Sequence, residues 1–391
     1  MDSKAHCPAL PRLEDLPFAH DREAAWNELL TAGPVAVSEA GVYFLSGADV
    51  VEQAATNTEI FSSQGAGFDK VGSPFPLVPI AFDRPEHTRY RRTLDKFFGP
   101  RRMAEREPVL RDQVGALIDA IKVSGGTCDV VSELAIPFPS QVFLTLFGLP
   151  LDDLGQLLEW KDAILQFSAA EGNEASPETL ERAGAMVQYL QTRFEERRGG
   201  GGEDLLSLLI NDPGEDALTE LEVIGLCFLF VIAGLDTVTS AVGFALYELA
   251  RDQVLQQRLR SDEAAIPAFV EEVLRVGSSI PYAPRRTTAD VEVAGVTIPA
   301  GSPCWLGFGA ANWDARRFAD PSTIHSAAQN HFAFGRGPHR CLGSHLARIE
   351  LKLIVEEWNR RIPAYSLVAE PVIEWPHALL RYKELHLRLD S

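Results

Sequence analysis

The stretch His331-Phe332-Ala333-Phe334-Gly335-Arg336-Gly337-Pro338-His339-Arg340-Cys341-Leu342-Gly343 constrains this chain more than any other. It is a loop broken by glycine and proline that delivers one cysteine to the mouth of a helix. Leu346, Ile349, Leu351, Leu353, Ile354 and Trp358 follow at helical apolar spacing, so a helix is expected over 344–358. Unpaired N–H groups and the helix dipole bias a thiol at such a position toward thiolate, and Arg336, His339 and Arg340 add positive charge. The cysteine is then a nucleophile, a metal ligand or a packed core residue, since free cysteines are commonly buried. Gly335, Gly337 and Gly343 favour ligation. They let backbone approach a bulky object or take positive φ, and a packed cysteine requires neither. No Cys-x-x-Cys pair accompanies Cys341, which argues against structural zinc. One thiolate held by a loop suits a metal that brings its other ligands, as haem iron does.

The chain has 391 residues, 46% hydrophobic and 23% charged, enough for a full globular core. A net charge of −19 disfavours nucleic acid and anionic membrane as partners. The five cysteines (7, 128, 227, 304 and 341) are scattered and odd in number, which fits a reducing compartment and no disulfide framework. Residues 1–11 lack the apolar stretch of a signal peptide or membrane anchor, and the longest apolar run, 224–235, is short for a bilayer. A cytoplasmic chain is expected. With no internal repeat and no interdomain linker, one domain should occupy 1–391.

A second informative stretch is a long helix. Thr219-Glu220-Leu221-Glu222 reads as a capping box, and the helix should run from there to about Arg251. Its middle, 227–232, is apolar on every side and therefore buried. Ala233-Gly234-Leu235-Asp236-Thr237 comes next. An acid inside a buried helix is costly unless paired or used. Gly234 weakens the helix by about 1 kcal/mol relative to alanine. Thr237 can bond back to the preceding turn and bend it. The combination suggests an opened turn holding water beside a reaction centre. The bland alternatives are a buried ion pair for Asp236 and a simple back-bond for Thr237.

Between Arg84 and Arg106 basic residues outnumber acidic ones, against the acidic background of the chain. His87 and Arg91 share one face of a helix expected after Pro85 and can clamp carboxylates, or lie on a solvated basic face. Strands are expected at 35–37, 42–45, around 291–298 and at 305–311, and 107–195 should be helical with breaks at 137–139 and 148–150. The stretch 61–80 reads as a long irregular loop.

The cysteine loop resembles the haem-binding signature Phe-x-x-Gly-x-Arg-x-Cys-x-Gly of the cytochrome P450 family. Phe334, Gly337, Cys341 and Gly343 fall on its positions, and His339 stands where most members carry the arginine. Ala233-Gly234-Leu235-Asp236-Thr237 matches the family's Ala/Gly-Gly-x-Asp/Glu-Thr motif, and Glu272-Val273-Leu274-Arg275 its Glu-x-x-Arg. Asn312-Trp313-Asp314 resembles Asn-Arg-Asp with tryptophan substituted, and the usual arginine before the cysteine loop is absent near Ser326.

The resemblance implies a mainly α fold with a small β region (approximately 30–60 and 280–310). Haem b would be sandwiched between the long helix and the Cys341 loop. It implies Cys341 as iron ligand, with His87, Arg91, Ala233, Gly234, Arg285, Phe334, His339 and Gly343 around the cofactor. Arg286 is the fallback for Arg285. It implies Asp236 gating proton supply and Thr237 bonding dioxygen. Leu229, Ile232, Ala233, Pro281, Ala283 and Leu379 would line the substrate pocket, with Ala378 and Leu380 beside the last of them and Phe68, Phe75, Leu77 and Val78 on an access loop. The implied reaction is hydroxylation of an apolar small molecule, a terpenoid or other branched lipid-like compound. Electrons would come from NAD(P)H through a reductase and a ferredoxin docked on Arg89, Arg92, Lys96 and Arg102. The alternatives are a peroxide-driven peroxygenase of the same fold and a haem-thiolate gas or ligand sensor without turnover.

Overall fold

The computed structural model describes residues 7–67, 77–168, 176–324, 330–374 and 379–390. Phe68, Phe75, Ser326 and Ala378, and the side chain of Ile232, lie outside what it describes.

The chain opens with helix α1 (Arg22–Thr31), hairpin β1 (Val35–Val37) and β2 (Tyr43–Leu45), helix α2 (Ala48–Thr56) and the short strand β3 (Phe61–Ser62). Five helices then succeed one another around one strand: α3 (Glu86–Phe98), α4 (Pro100–Ala104), α5 (Glu107–Ser124), strand β4 (Thr127–Asp129), α6 (Pro137–Phe147) and α7 (Leu154–Ser168). Helices α8 (Pro177–Glu195) and α9 (Leu205–Ile210) lead to the long apolar segment, which is two helices, α10 (Glu220–Gly234) and α11 (Asp236–Arg251). Helices α12 (Gln253–Ser261) and α13 (Ile266–Gly277) precede strands β5 (Ala283–Thr287), β6 (Val291–Val293), β7 (Val296–Ile298) and β8 (Pro303–Leu306). Helix α14 (Phe308–Asn312), the cysteine loop and helix α15 (Ser344–Arg361) follow. Strands β9 (Ala364–Leu367), β10 (Ile373–Glu374), β11 (Arg381–Tyr382) and β12 (His386–Asp390) end the chain.

The expected mainly α architecture is present, with three local differences. The strand expected over 305–311 stops at Leu306, because Gly307 turns the chain into α14. Pro137 and Pro139 begin a helix and do not break one. Proline at the first helical positions loses only N–H groups that have no partner there. Strand β4 falls inside the stretch expected to be helical, and pairs with β12.

Five strands form the main sheet in the order β1-β2-β8-β5-β3, with β2 and β8 parallel. Side chains alternate along β5, so Arg285 turns into the protein while Arg286 stays exposed. Helix α15 packs against α4, α5, α11, α12 and α13. Leu346 and Ile349 at its start touch both large apolar clusters of the core.

Glu220–Arg251 is long and apolar enough to cross a membrane by length and composition, but 65% of its most apolar window is buried inside the fold. It is the central element of the core, as the all-round apolar pattern requires.

Candidate active site

The cysteine loop is held at both ends by buried polar groups. The Phe332 N–H donates to Asn312 Oδ1 (2.6 Å), while Asn312 Nδ2 donates to Ser278 Oγ at the end of α13 (2.9 Å). The Cys341 N–H donates to the Phe334 carbonyl (2.8 Å), closing the loop into a tight ring. Gly335 and Gly337 both take φ near +66°, and a Cβ on Gly337 would strike the Ala55 carbonyl at the end of α2. Gly343 has ordinary φ and serves as N-cap of α15, so it needs no positive φ. Its N–H stabilises the Cys341 thiolate. Cys341 is accessible, yet desolvation still raises its pKa against the opposing pull of Gly343, Arg91, Arg340 and Arg348.

Beside the cysteine lies a cluster of cationic and imidazole side chains. His87 on α3 and His339 in the loop stack with ring centroids 4.1 Å apart. Arg91 is one turn after His87 on α3, and its Nη1 donates to the Arg340 carbonyl (2.6 Å). Arg285 enters from β5, 3% exposed, with Nη1 on the Pro284 carbonyl (2.6 Å). Arg286 points outward to the carbonyls of Gly65 and Gly301. Burial, and then the neighbouring Arg91 and Arg84, depress the His87 pKa to about 4. Burial, Arg285 and His87 depress that of His339 to about 2, and burial lowers Arg285 to about 10. His87 Nε2 and Arg285 Nε are buried with no hydrogen-bond partner. Buried donors of this kind are normally satisfied, so the cluster is complementary to an anion.

The long helix is interrupted at Leu235, where the sequence suggests an opened turn. Ala233 is exposed and Thr237 half-buried, although Val231, Leu235 and Asp236 around them are buried. Thr237 Oγ1 donates to the Ala233 carbonyl (3.1 Å), the back-bond that bends a helix. Asp236 is buried and ion-paired. Lys161 Nζ of α7, itself 3% exposed, lies 2.5 Å from Oδ1, and Arg381 Nη1 of β11 lies 3.5 Å from Oδ2. Arg381 is in turn held by Glu374 of β10 (3.0 Å). One carboxylate thus joins the broken helix, helix α7 and the C-terminal hairpin.

Ser240 of α11 bonds Ser279 Oγ (2.8 Å) and the Leu380 carbonyl. This gathers Pro281, Ala283 and Leu379 near the same helix. Pro281 is buried and Ala283, Leu379 and Leu229 are half-buried, while Leu77 and Val78 are buried.

Three comparisons bear on this geometry. A family model described as Cytochrome P450 matches residues 178–358. "Probable cytochrome P450 127A1" of Sinorhizobium fredii is 36% identical over 80% of this chain and 74% of its own length. "Cytochrome P450 130" of Mycobacterium tuberculosis is 32% identical over 85% of this chain and 84% of its own. The chain belongs to the cytochrome P450 family. Among solved structures, that of the P450 enzyme CxnD for C–S bond formation in chuangxinmycin biosynthesis superposes with a TM-score of 0.87 at 26% identity, covering 99% of each chain. As a cytochrome P450 the protein is a monooxygenase that carries haem b on a cysteine thiolate and receives electrons from redox partners. The unpartnered His87 and Arg285 nitrogens fit the two propionate carboxylates of that cofactor.

The P450 family's Glu-x-x-Arg pair is buried, with Glu272 2% and Arg275 1% exposed. Arg275 Nη2 meets Glu272 at 2.8 Å, and the same guanidinium donates to the carbonyls of Asn312 (3.1 Å), Pro321 (2.7 Å) and Thr323 (3.0 Å). It is thus no surface pair. Trp313, in place of the usual arginine, is buried and donates to the Val276 carbonyl (3.1 Å).

The basic residues expected to form a docking face each lie near an acid: Arg89 pairs with Glu222, Arg92 with Asp216 (3.3 Å), Lys96 with Asp212 (3.6 Å) and Arg102 with Glu105 (3.9 Å). The side chains of Arg92, Lys96 and Arg102 remain 65%, 52% and 42% exposed, so these are surface pairs of small energy that leave the basic groups accessible. Lys161 and Arg381 escaped the sequence reading. Lys161 lies between Glu159 and Asp162, and neither it nor Arg381 carries a local signal of a buried role.

Proposed function

We propose that Cys341 is the haem ligand of this P450 and that the enzyme hydroxylates an apolar small molecule. The observation that carries the assignment is the pair of buried, unpartnered nitrogens, His87 Nε2 and Arg285 Nε, in the basic cluster beside the Cys341 loop. Haem, when bound, supplies the redox chemistry that inserts one oxygen atom of dioxygen into the substrate.

The chain's own residues do the rest. His87, His339, Arg91 and Arg285 would hold the propionates, with the guanidinium forks suited to carboxylates. Gly335 and Gly337 turn the loop, Gly343 stabilises the thiolate through its N–H, and Phe334 covers the thiolate side with Arg348 stacked on its ring (4.5 Å). Ala233, exposed on the broken helix, would face the cofactor, while Gly234 lies against the Phe143 ring. Thr237 commits its O–H to the Ala233 carbonyl and so presents lone pairs to the space beyond it. Asp236, locked between Lys161 and Arg381, accepts a proton at a carboxylate oxygen once one cation withdraws.

Leu77, Val78, Leu229, Pro281, Ala283 and Leu379 support an apolar substrate, a terpenoid or similarly branched lipid-like molecule. Ferredoxin reductase and a ferredoxin, fed by NAD(P)H, are the electron donors in this reading. Arg340, exposed beside the cysteine, is a better docking cation than the paired residues of α3. We further read 1–391 as one P450 domain in the cytoplasm. The shared contacts of Leu346 and Ile349 with both large core clusters support a single unit.

The test is reconstitution with reductase, ferredoxin and NAD(P)H on substrates chosen by a spin-state shift screen of terpenoids, fatty acids and aromatics. Hydroxylated product is expected. Product from peroxide alone would make the protein a peroxygenase, and binding without any product would make it a sensor.

A further inference from the structure

The cation cluster contains a carboxylate that the haem assignment does not use. Asp83 precedes α3, and its backbone carbonyl accepts from the His87 N–H (2.8 Å). Its carboxylate is gripped from the opposite side by the chain leaving β3: Ser62 Oγ donates to Oδ2, and the Ser63 N–H donates to Oδ1 (3.0 Å). The same Oδ1 lies 3.9 Å from His339 Nε2. Ser63 Oγ completes the ring of contacts, 3.2 Å from His339 Nε2. Ser62 and Ser63 are 6% and 1% exposed, so neither hydroxyl is a surface accident.

Two arginines and two imidazoles converge here without another ion-paired carboxylate among the described residues except Asp95, which holds the outer side of Arg91 (3.2 Å). Of these, the two arginines are cations, and cations brought together under low dielectric repel one another strongly. An internal anion lets the cluster exist, but it also repels any further anion that binds there.

We propose that Asp83 is the internal counter-anion of the propionate clamp and that Ser63 aims the His339 ring. Both are positioning residues, and the inference rests on the haem site proposed above. Asp83 holds the clamp together at the cost of its grip on the cofactor. Ser63, anchored through its own N–H to Asp83, fixes which edge of His339 is turned away from β3 and toward the cofactor.

The two residues therefore act with opposite sign, which a merely structural role would not produce. In the holoenzyme, haem loss is followed by transfer to excess apomyoglobin, and the midpoint potential of the iron by redox titration. Asp83→Asn keeps the hydrogen-bonding shape and removes the charge. It should lose haem several-fold more slowly than wild type and titrate at a higher potential. Ser63→Ala should lose haem several-fold faster, and Ser63→Thr, which restores the hydroxyl, should return to the wild-type rate. Faster loss from Asp83→Asn with an unchanged potential would overturn the counter-anion role. Equal loss from Ser63→Ala and wild type would overturn the aiming role, and this arm decides alone if Asp83→Asn does not fold. A wild-type protein without a thiolate-type reduced-CO band would instead overturn the haem assignment itself, before any variant is compared.

Discussion

Two buried arginines, Arg275 and Arg285, stand in opposite electrostatic states. Arg275 is 1% exposed and saturated: one carboxylate and three carbonyls take its donors. Arg285 is 3% exposed and unsatisfied, with one carbonyl on Nη1 and no partner on Nε. The first pins α13 to the chain ahead of the cysteine loop. The second is a charge held in place for something the polypeptide does not itself provide. Burial alone does not separate architecture from function; the satisfaction of the buried group does.

The comparison can be broken most forcefully at Arg275. Arg275→Ala strands Glu272 and three carbonyls, and should cost about 3–5 kcal/mol, enough to prevent recovery of folded haem protein. Near-normal yield and melting would show that saturation is not what makes it structural.

A smaller, pH-dependent effect is expected at Glu350 on α15. This carboxyl is buried with an unpartnered oxygen, and desolvation raises its pKa from 4.5 to about 8. Because the folded-state value is the higher one, the unfolded chain ionises first. Stability is intact below pH 4.5 and falls as pH rises toward 8, by a few kcal/mol. Glu350→Gln should flatten that decline and melt higher at pH 8; parallel pH profiles for variant and wild type would contradict it.

Arg285→Leu sharpens the contrast because its sign reverses. Removing an unsatisfied charge should leave the haem-free chain as stable as wild type or more so, by about 1 kcal/mol, while haem is lost faster. Destabilisation of the haem-free form would place Arg285 with Arg275. Smallest in stability is Thr237→Ala, which removes only an exposed back-bond, worth about 0.5–1.5 kcal/mol at most. Its expected signature is NAD(P)H consumed largely as peroxide; unchanged coupling would remove Thr237 from proton delivery.

The sequence made some of this legible and hid the rest for physical reasons. The cysteine loop, the capping box and the weak Gly234 turn are local, set by residue types a few positions apart, and the structure contains all three. The β5 alternation that separates Arg285 from Arg286 is also local, but its phase depends on which face the sheet buries. The partners of Asp236 lie 75 and 145 residues away in the chain, so no spacing announces them. The acids facing Arg92 and Lys96 come from the segment between α9 and α10, so the basic run read alone does not reveal its ion pairs. Asp83 carries no local signal, because its role depends on two serines about twenty residues earlier.

The central claim, that the unsatisfied cluster and the Cys341 loop form one haem-thiolate site, is tested most directly by the reduced-CO spectrum of wild type beside Cys341→Ser. The account predicts a thiolate-type band in the wild type and its complete absence in the variant. Retention of that band without the Cys341 thiol would contradict it.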